Sequence, residues 1–191
     1  SAVTLDDGRT FVIGAPEKLC ETIPDEISEL MKDGKRVIVS GICRGDVTYN
    51  NTTIVGTVVI SDTIRETAAD TIEYFYSQDI DVKIISGDNP CSAAAVAKSA
   101  GVKNADLFID MSDVPDDEID AVADKFVVFG RVTPKQKKLL IEAMQKRGHK
   151  VAMTGDGVND LLAMRRADCS VAMGTGCDAA RGAAQLVLLD S

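Results

Sequence analysis

Only one histidine, His149, occurs in the 191 residues. That excludes His-rich metal sites and makes any Ser/His/Asp or Cys/His triad depend on this single side chain. The five cysteines, Cys20, Cys43, Cys91, Cys169 and Cys177, are an odd set without a C-x-x-C pair, which fits free thiols in a reducing, cytosolic compartment better than disulfides or zinc. No block of Lys and Arg is present, and 21 Lys+Arg against 30 Asp+Glu give a formal charge of −9. This balance opposes general nucleic-acid binding and an anionic membrane surface. Long apolar runs are missing as well. The longest uncharged stretch, residues 47–61, is rich in Thr and Asn and is too short and too polar to cross a bilayer. The N-terminus lacks a basic segment followed by an apolar core, so no secretion signal is expected. What is there, 45% hydrophobic and 27% charged residues, suits a soluble globular chain with a real core, of one domain or one domain plus part of another.

Short β-prone runs at 2–5, 10–13 and 36–42, bounded by Gly or Asp-Gly turns, open the chain. Asp7-Gly8 is a strong hairpin signal. A helix over 25–32 interrupts these runs, and the segment reads as antiparallel α+β. After Ile54 the rhythm changes to strand, turn, helix. Strands are expected at 55–60, 82–85, 126–129, 150–153 and 170–173, with a last one at 185–189. Helices are expected at 65–77, 91–100, 135–146 and 158–167. Such alternation predicts an α/β fold, a parallel sheet with helices on both faces, whose sites lie at the carboxyl ends of the strands. The boundary between the two parts is expected near 51–55. The acidic stretch 110–124 is not an EF-hand, because Pro115 stands where the turn needs glycine and the Asp spacing is wrong. It reads as a solvated connection and helix start.

Four loops carry the candidate chemistry. Thr154-Gly155-Asp156-Gly157-Val158-Asn159-Asp160 follows an apolar strand and precedes a helix, so two carboxylates and an amide converge at a strand's carboxyl end. These ligands suit Mg²⁺, which takes one or two carboxylates together with water and phosphate oxygens. The plainer alternative is a β–α turn in which Asp156 and Asn159 only cap the helix. Ser86-Gly87-Asp88 ends another strand and could hold a phosphoryl group, or could simply start a helix at Asp88-Asn89-Pro90. Arg131 and Lys137 flank Pro134, and a cation in a first helical turn is electrostatically misplaced unless an anion lies near. Lys135 and Lys138 compete with Lys137 for that role. Gly174-Thr175-Gly176-Cys177-Asp178-Ala179 formally matches the dinucleotide fingerprint, but too little chain follows it to supply the ribose-binding acid. It is read as a tight turn.

Taken together these residues resemble the phosphorylation domain of P-type cation-transporting ATPases, in the haloacid-dehalogenase superfamily. Thr154 to Asp160 is identical to that family's T-G-D-G-x-N-D motif. Ser86-Gly87-Asp88 is similar to its T/S-G-D motif, and Arg131-Val132-Thr133-Pro134 with Lys137 to R-V-x-P-x-x-K. Asp62-Thr63-Ile64-Arg65 resembles D-P-P-R without the prolines. Upstream, Gly14-Ala15-Pro16-Glu17 resembles K-G-A-P-E, with Ile13 in place of the lysine, which suggests a divergent bacterial subfamily. Lys35-Arg36-Val37 resembles the segment bearing an ATP-contacting arginine.

The resemblance implies a haloacid-dehalogenase-like Rossmannoid sheet over residues 55–191 and the C-terminal part of a nucleotide-binding domain over 1–54. It implies Mg²⁺ and ATP as cofactor and substrate. Asp156 and Asp160 would serve as metal ligands, and Asn159 and Asp160 would position the phosphoryl group. Ser86 and Lys137 would neutralise its oxygens. Gly14, Ala15, Arg36, Asp62, Arg65, Asp88 and Arg131 would face the nucleotide. The implied partners are the actuator, the rest of the nucleotide-binding domain and the transmembrane parts of a parent pump, in a plasma membrane with this segment cytoplasmic.

The family's phosphorylated aspartate lies in D-K-T-G-T, and that string does not occur here. The chain therefore reads as a cytosolic portion that forms no phosphoenzyme by itself. That motif's strand is central in the family's sheet, between the strands ending at Ser86 and Thr154. Without it two apolar edges would be exposed, so the sheet is expected to close the gap by rearrangement, or a second molecule to fill it as a non-native dimer. The alternatives are a soluble Mg²⁺-dependent phosphatase with Asp62 as nucleophile, which has Ile64 where a general acid is usual, and a non-catalytic Mg²⁺- or nucleotide-binding module. The transported ion is not legible, since intramembrane residues set it.

Overall fold

A computed structural model describes residues 1–32, 35–44, 47–48, 51–60 and 64–189. Its first part runs β1 (Ala2–Thr4), β2 (Arg9–Gly14), α1 (Pro16–Leu19), α2 (Asp25–Lys32), β3 (Arg36–Arg44) and β4 (Thr53–Ile60), with the strands in one antiparallel sheet of order β1-β2-β3-β4. The Asp7-Gly8 turn forms as expected, with Gly8 at φ +78, a conformation that glycine adopts without steric cost. Along β3 buried and part-exposed residues alternate, as a sheet covered on one face requires. Val37 and Val39 pack there with Val12 of β2, Leu19 of α1 and Ile27 of α2.

The placement of β4 corrects the sequence reading. Residues 55–60, expected to open the parallel sheet, instead pair antiparallel with β3, from Arg36 opposite Ile60 to Ile42 opposite Thr53. A short apolar run looks the same in either kind of sheet, and β3 lies one short connection away. The break near 51–55 thus falls at the start of a strand belonging to the first sheet.

From residue 64 onward come α3 (Ala68–Ser77), β5 (Ile84–Ile85), α4 (Pro90–Ser99), β6 (Phe108–Asp110), α5 (Ile119–Val122), β7 (Val128–Gly130) and α6 (Pro134–Lys146). They are followed by β8 (Ala152–Gly155), α7 (Leu161–Arg166), β9 (Cys169–Met173), α8 (Asp178–Ala183) and β10 (Leu186–Leu188). All the strand pairs here are parallel. Neighbouring residues of β7 point to opposite faces. Val128 packs with Ala94 and Ala97 of α4, whereas Phe129 packs with Ile119 of α5 and Leu140 and Ala143 of α6. Helices on both faces, the α/β arrangement expected, result. The short β6 and α8 were not anticipated.

The parallel strands form two ladders rather than one, β5-β7-β6 and β10-β9-β8. Among the described residues β5 pairs only with β7 and β8 only with β9. The expected closure of the gap by rearrangement does not take the form of a ladder between β5 and β8, and among the described residues each keeps one unpaired edge. Side chains hold the halves together instead. Ile85 and Val151 pack against both adjoining cores, while α6 sends Leu140 into one and Ile141 into the other.

The start of β8 is pinned by Asp168. Its carboxylate accepts from Gln145 Nε2 (2.8 Å), the Val151 N–H (3.1 Å) and Lys150 Nζ (3.0 Å). These donors, the Gln145 amide foremost, hold the carboxyl well below the usual carboxylate range. A depressed carboxyl stabilises the fold above its unfolded pKa of about 3.9, and that contribution fades as pH falls toward the folded value. Urea midpoints of the wild type and Asp168→Asn should therefore differ most near neutrality and converge in strong acid. A gap independent of pH would show that Asp168 acts only through packing.

Candidate functional site

Strand β8 delivers the loop Thr154–Asp160, and the carboxylate of Asp160 folds it. Its Oδ2 accepts from the backbone N–H of Asp156 (3.3 Å) and of Gly157 (3.2 Å), and its Oδ1 from Lys137 Nζ (2.7 Å). Both partners of this ion pair are about nine-tenths buried, at 11% and 10% side-chain exposure. Lys137 reaches the loop because α6 starts sharply. Thr133 caps it, Gln136 completes the capping box and Pro134 takes the first turn. The cation in the first turn of α6 thus has its anion, Asp160.

Glycines let the loop close. A Cβ on Gly155 would stand 2.6 Å from Asp160 Cβ. A Cβ on Gly176 would stand 2.9 Å from both the Asp156 and Met173 carbonyl oxygens, and the neighbouring Cys177 N–H donates to the Asp156 carbonyl at 2.8 Å. The tight turn 174–177 is therefore a support for Asp156, a role that its sequence did not reveal. The only signal was a glycine pair directly after a strand.

The Asp160 carboxylate is engaged by three protein donors, whereas the exposed Asp156 and Asn159 side chains make no hydrogen bonds or ion pairs among the described residues and offer their oxygens to a metal. No cluster of three or more His, Cys, Asp or Glu side chains able to hold a metal occurs among the described residues either. Such a donor set does not fit a closed cage. It fits Mg²⁺ of the kind that shares its coordination with phosphate oxygens.

Ser86 lies at the end of β5, where its N–H donates to the Phe129 carbonyl (2.9 Å) and its carbonyl accepts from the Val132 N–H (3.0 Å). Its hydroxyl accepts from the Asp88 N–H at 3.1 Å. Asn89 caps α4 through the Cys91 and Ser92 N–H groups, with Pro90 next. Ser86-Gly87-Asp88 therefore also serves as the helix approach that the plainer reading envisaged.

Between this turn and the N-terminal sheet opens a cleft of about 1210 Å³. Gly14, Ala15, Arg36, Arg65, Ser86, Asp88 and Arg131 all line it. Among the described residues its charged lining comprises five cations, Lys18, Lys35, Arg36, Arg65 and Arg131, against two acids, Glu17 and Asp88. This reverses the sign of a chain with net charge −9. The lining does not extend to Lys137, Asp156, Asn159 or Asp160. The sequence-derived residues thus gather into two groups: a cationic cleft between the N-terminal sheet and the carboxyl ends of β5 and β7, which reaches Ser86, and an ion-paired loop at the carboxyl end of β8. Segment 131–137 belongs to both, since Arg131 lines the cleft and Lys137 holds the loop. Asp62 lies outside the described residues. Glu17, which pairs with Arg131, was not among the expected site residues.

A family model for haloacid dehalogenase-like hydrolases matches residues 6–168. The chain belongs to that family. This haloacid dehalogenase-like chain is 41% identical over 196 residues to a probable cation-transporting ATPase, exp7, of Streptococcus pneumoniae. It is 39% identical over 198 residues to the calcium-transporting ATPase CtpE of Mycolicibacterium smegmatis. Each match covers 100% of the chain and 25% of the relative, so the chain spans a quarter of the length of these curated relatives. Among solved structures, a zinc-transporting PIB-type ATPase in its E2.Pi state superposes with a TM-score of 0.58 at 25% identity. The match covers 96% of this chain and 26% of that one. No helix among the described residues is long and apolar enough to cross a membrane.

Proposed function

We propose that the chain is a cytosolic catalytic portion of a P-type cation-transporting ATPase. In this reading residues 1–54, with β4 continuing their ladder to residue 60, are the C-terminal part of a nucleotide-binding domain, and the rest is the phosphorylation domain. The observation that carries it is the Lys137–Asp160 pair at 2.7 Å. It joins the R-V-x-P-x-x-K segment to the T-G-D-G-V-N-D loop at the carboxyl ends of two parallel strands, in a chain matched along its whole length by cation-transporting ATPases.

A phosphoryl group in transfer spreads negative charge over its oxygens, and catalysis consists mainly of holding that charge in place. Ser86 and Lys137 supply a hydroxyl and an ammonium for this, and Asn159 an amide. Asp156 holds Mg²⁺, which contributes charge neutralisation at the phosphate oxygens. Asp160 acts on the metal site from behind, by fixing the Asp156 and Gly157 backbone and the Lys137 ammonium, rather than as a ligand. Gly14, Ala15, Arg36, Arg65, Asp88 and Arg131 receive the nucleotide in the cationic cleft; Asp62, assigned the same role by the resemblance, lies outside the described residues. The phosphorylated aspartate, the actuator and the membrane-spanning parts belong to a parent pump in the plasma membrane, and this segment faces the cytoplasm.

Calorimetric titration tests this reading. The chain should bind ATP in the cleft weakly, with Mg²⁺ strengthening the binding, and Asp156→Ala should remove the Mg²⁺ effect while leaving metal-free ATP binding intact. Hydrolysis of p-nitrophenyl phosphate should be absent. Robust turnover abolished by Asp62→Asn would replace the pump reading with that of a self-sufficient phosphatase.

A further inference from the structure

Arg131 differs from the other cations that line the cleft. Its guanidinium pairs with Glu17, across the cleft on α1, and lies 3.5 Å from Asp110 at the end of β6. Of the other four, only Arg36 has a carboxylate within 4 Å among the described residues, Asp88 at 3.9 Å. The backbone of Arg131 is also unusual, with φ +52. The other described non-glycine residues with positive φ are Asp79 and Asn104, types that tolerate this region, whereas a long cationic side chain gains nothing there. The conformation is held by the Arg131 N–H donating to the Asp88 carbonyl at 2.8 Å and by the carboxylates on the guanidinium. Backbone held in a disfavoured region by surrounding contacts is typical of functional sites.

Glu17 is only half satisfied. One carboxylate oxygen meets Arg131, while the other is buried without a hydrogen-bond partner among the described residues. Its side chain is 26% exposed and that of Arg131 35%, so the pair is partly shielded from screening by salt. An anion entering the cleft therefore finds its best-placed guanidinium, the one bonded through the backbone to the Ser86-Gly87-Asp88 turn, already occupied by a protein carboxylate.

We propose that Glu17 is a positioning residue that competes with the nucleotide's phosphates for Arg131, latching the N-terminal sheet to the parallel-sheet lobe when the cleft is free and yielding the guanidinium when nucleotide binds. The proposal rests on the nucleotide reading of the cleft. A carboxylate that only orients Arg131 would help an anion to bind. One that holds Arg131 back opposes binding, so the two roles differ in the sign of the effect when its charge is removed.

The test is calorimetric titration of the full chain with metal-free ATP, using wild type, Glu17→Gln, Glu17→Asp, Arg131→Gln and the Glu17→Gln/Arg131→Gln double variant. Glu17→Gln should bind ATP about tenfold more tightly, a difference of about 1.4 kcal/mol. Glu17→Asp, whose shorter side chain draws back from Arg131, should shift affinity in the same direction by less, and it serves should Glu17→Gln fail to fold. Arg131→Gln should weaken binding, and on that background Glu17→Gln should have no further effect. Unchanged or weaker ATP affinity in both Glu17 variants would overturn the competition. No ATP binding by any of the proteins, including wild type, would overturn the nucleotide reading and this inference together, so the two failures are distinguishable.

Discussion

Lys137→Met should lower the unfolding free energy of the chain by about 3–5 kcal/mol, the usual consequence of leaving one buried charge without its partner. Net stabilities of domains this size are about 5–15 kcal/mol, so the variant should sit close to its folding threshold. The reason lies in Asp160. Its carboxylate is about 10% exposed and would keep two backbone N–H donors but lose the only opposite charge within reach among the described residues. Asp160→Ala should cost still more, because it strands the Lys137 ammonium and also removes the acceptor for the Asp156 and Gly157 N–H groups. The double variant Lys137→Met/Asp160→Asn, with no charge left to strand, should recover part of the loss, since a buried pair as a whole adds little over neutral groups of similar shape. Urea midpoints of the single and double variants measure all of this. Singles that unfold within 0.5 M of wild type, an interval of roughly 1 kcal/mol in urea, would mean that the pair is solvated and the loop is held by other contacts.

The second large effect is expected from Gly130→Ala, at the end of β7. The added Cβ would lie 2.4 Å from Pro90 Cα and 2.5 Å from Pro90 N, backbone atoms that cannot swing aside as a side chain would. Either α4 shifts at its first turn or β7 recedes, and Arg131 follows directly in a positive-φ conformation. Forcing an extra carbon into such packing costs about 1–3 kcal/mol, or a fall in melting temperature of about 2–4 °C per kcal/mol for a chain of this length. Hydrogen exchange should locate the damage in α4 and in the Arg131 N–H, which donates to Asp88. A variant that melts within a degree of wild type, with unchanged exchange in α4, would contradict the close approach of β7 and α4.

The position of the strand-end loops was readable from the sequence because it depends on local order. An apolar strand followed by Thr154-Gly155-Asp156 or Ser86-Gly87-Asp88 dictates both where the loop stands and which groups it offers. Lys137 became distinguishable from Lys135 and Lys138 only in three dimensions, since helix phase sends it inward to Asp160 while Lys135 pairs with Asp116 and Lys138 with Glu142. The pairing of residues 53–60 was not readable, because an apolar run does not encode the direction of its neighbour. Nor was the partnership of Glu17 with Arg131, 114 positions apart, as nothing in either segment names the other. The contribution of Gly176 to the Asp156 loop was hidden for the same reason, since a glycine's use of space is visible only against what fills it.

Helix α6 has a mechanical consequence. With no backbone ladder joining β5 to β8, adjacent residues of this one rod, Leu140 and Ile141, anchor in different cores, and its first turn grips the Thr154–Asp160 loop through Lys137. Torsion applied to either half-sheet is therefore conveyed to the other largely along this rod, and the two halves should lose order as a single cooperative unit only while it stays intact.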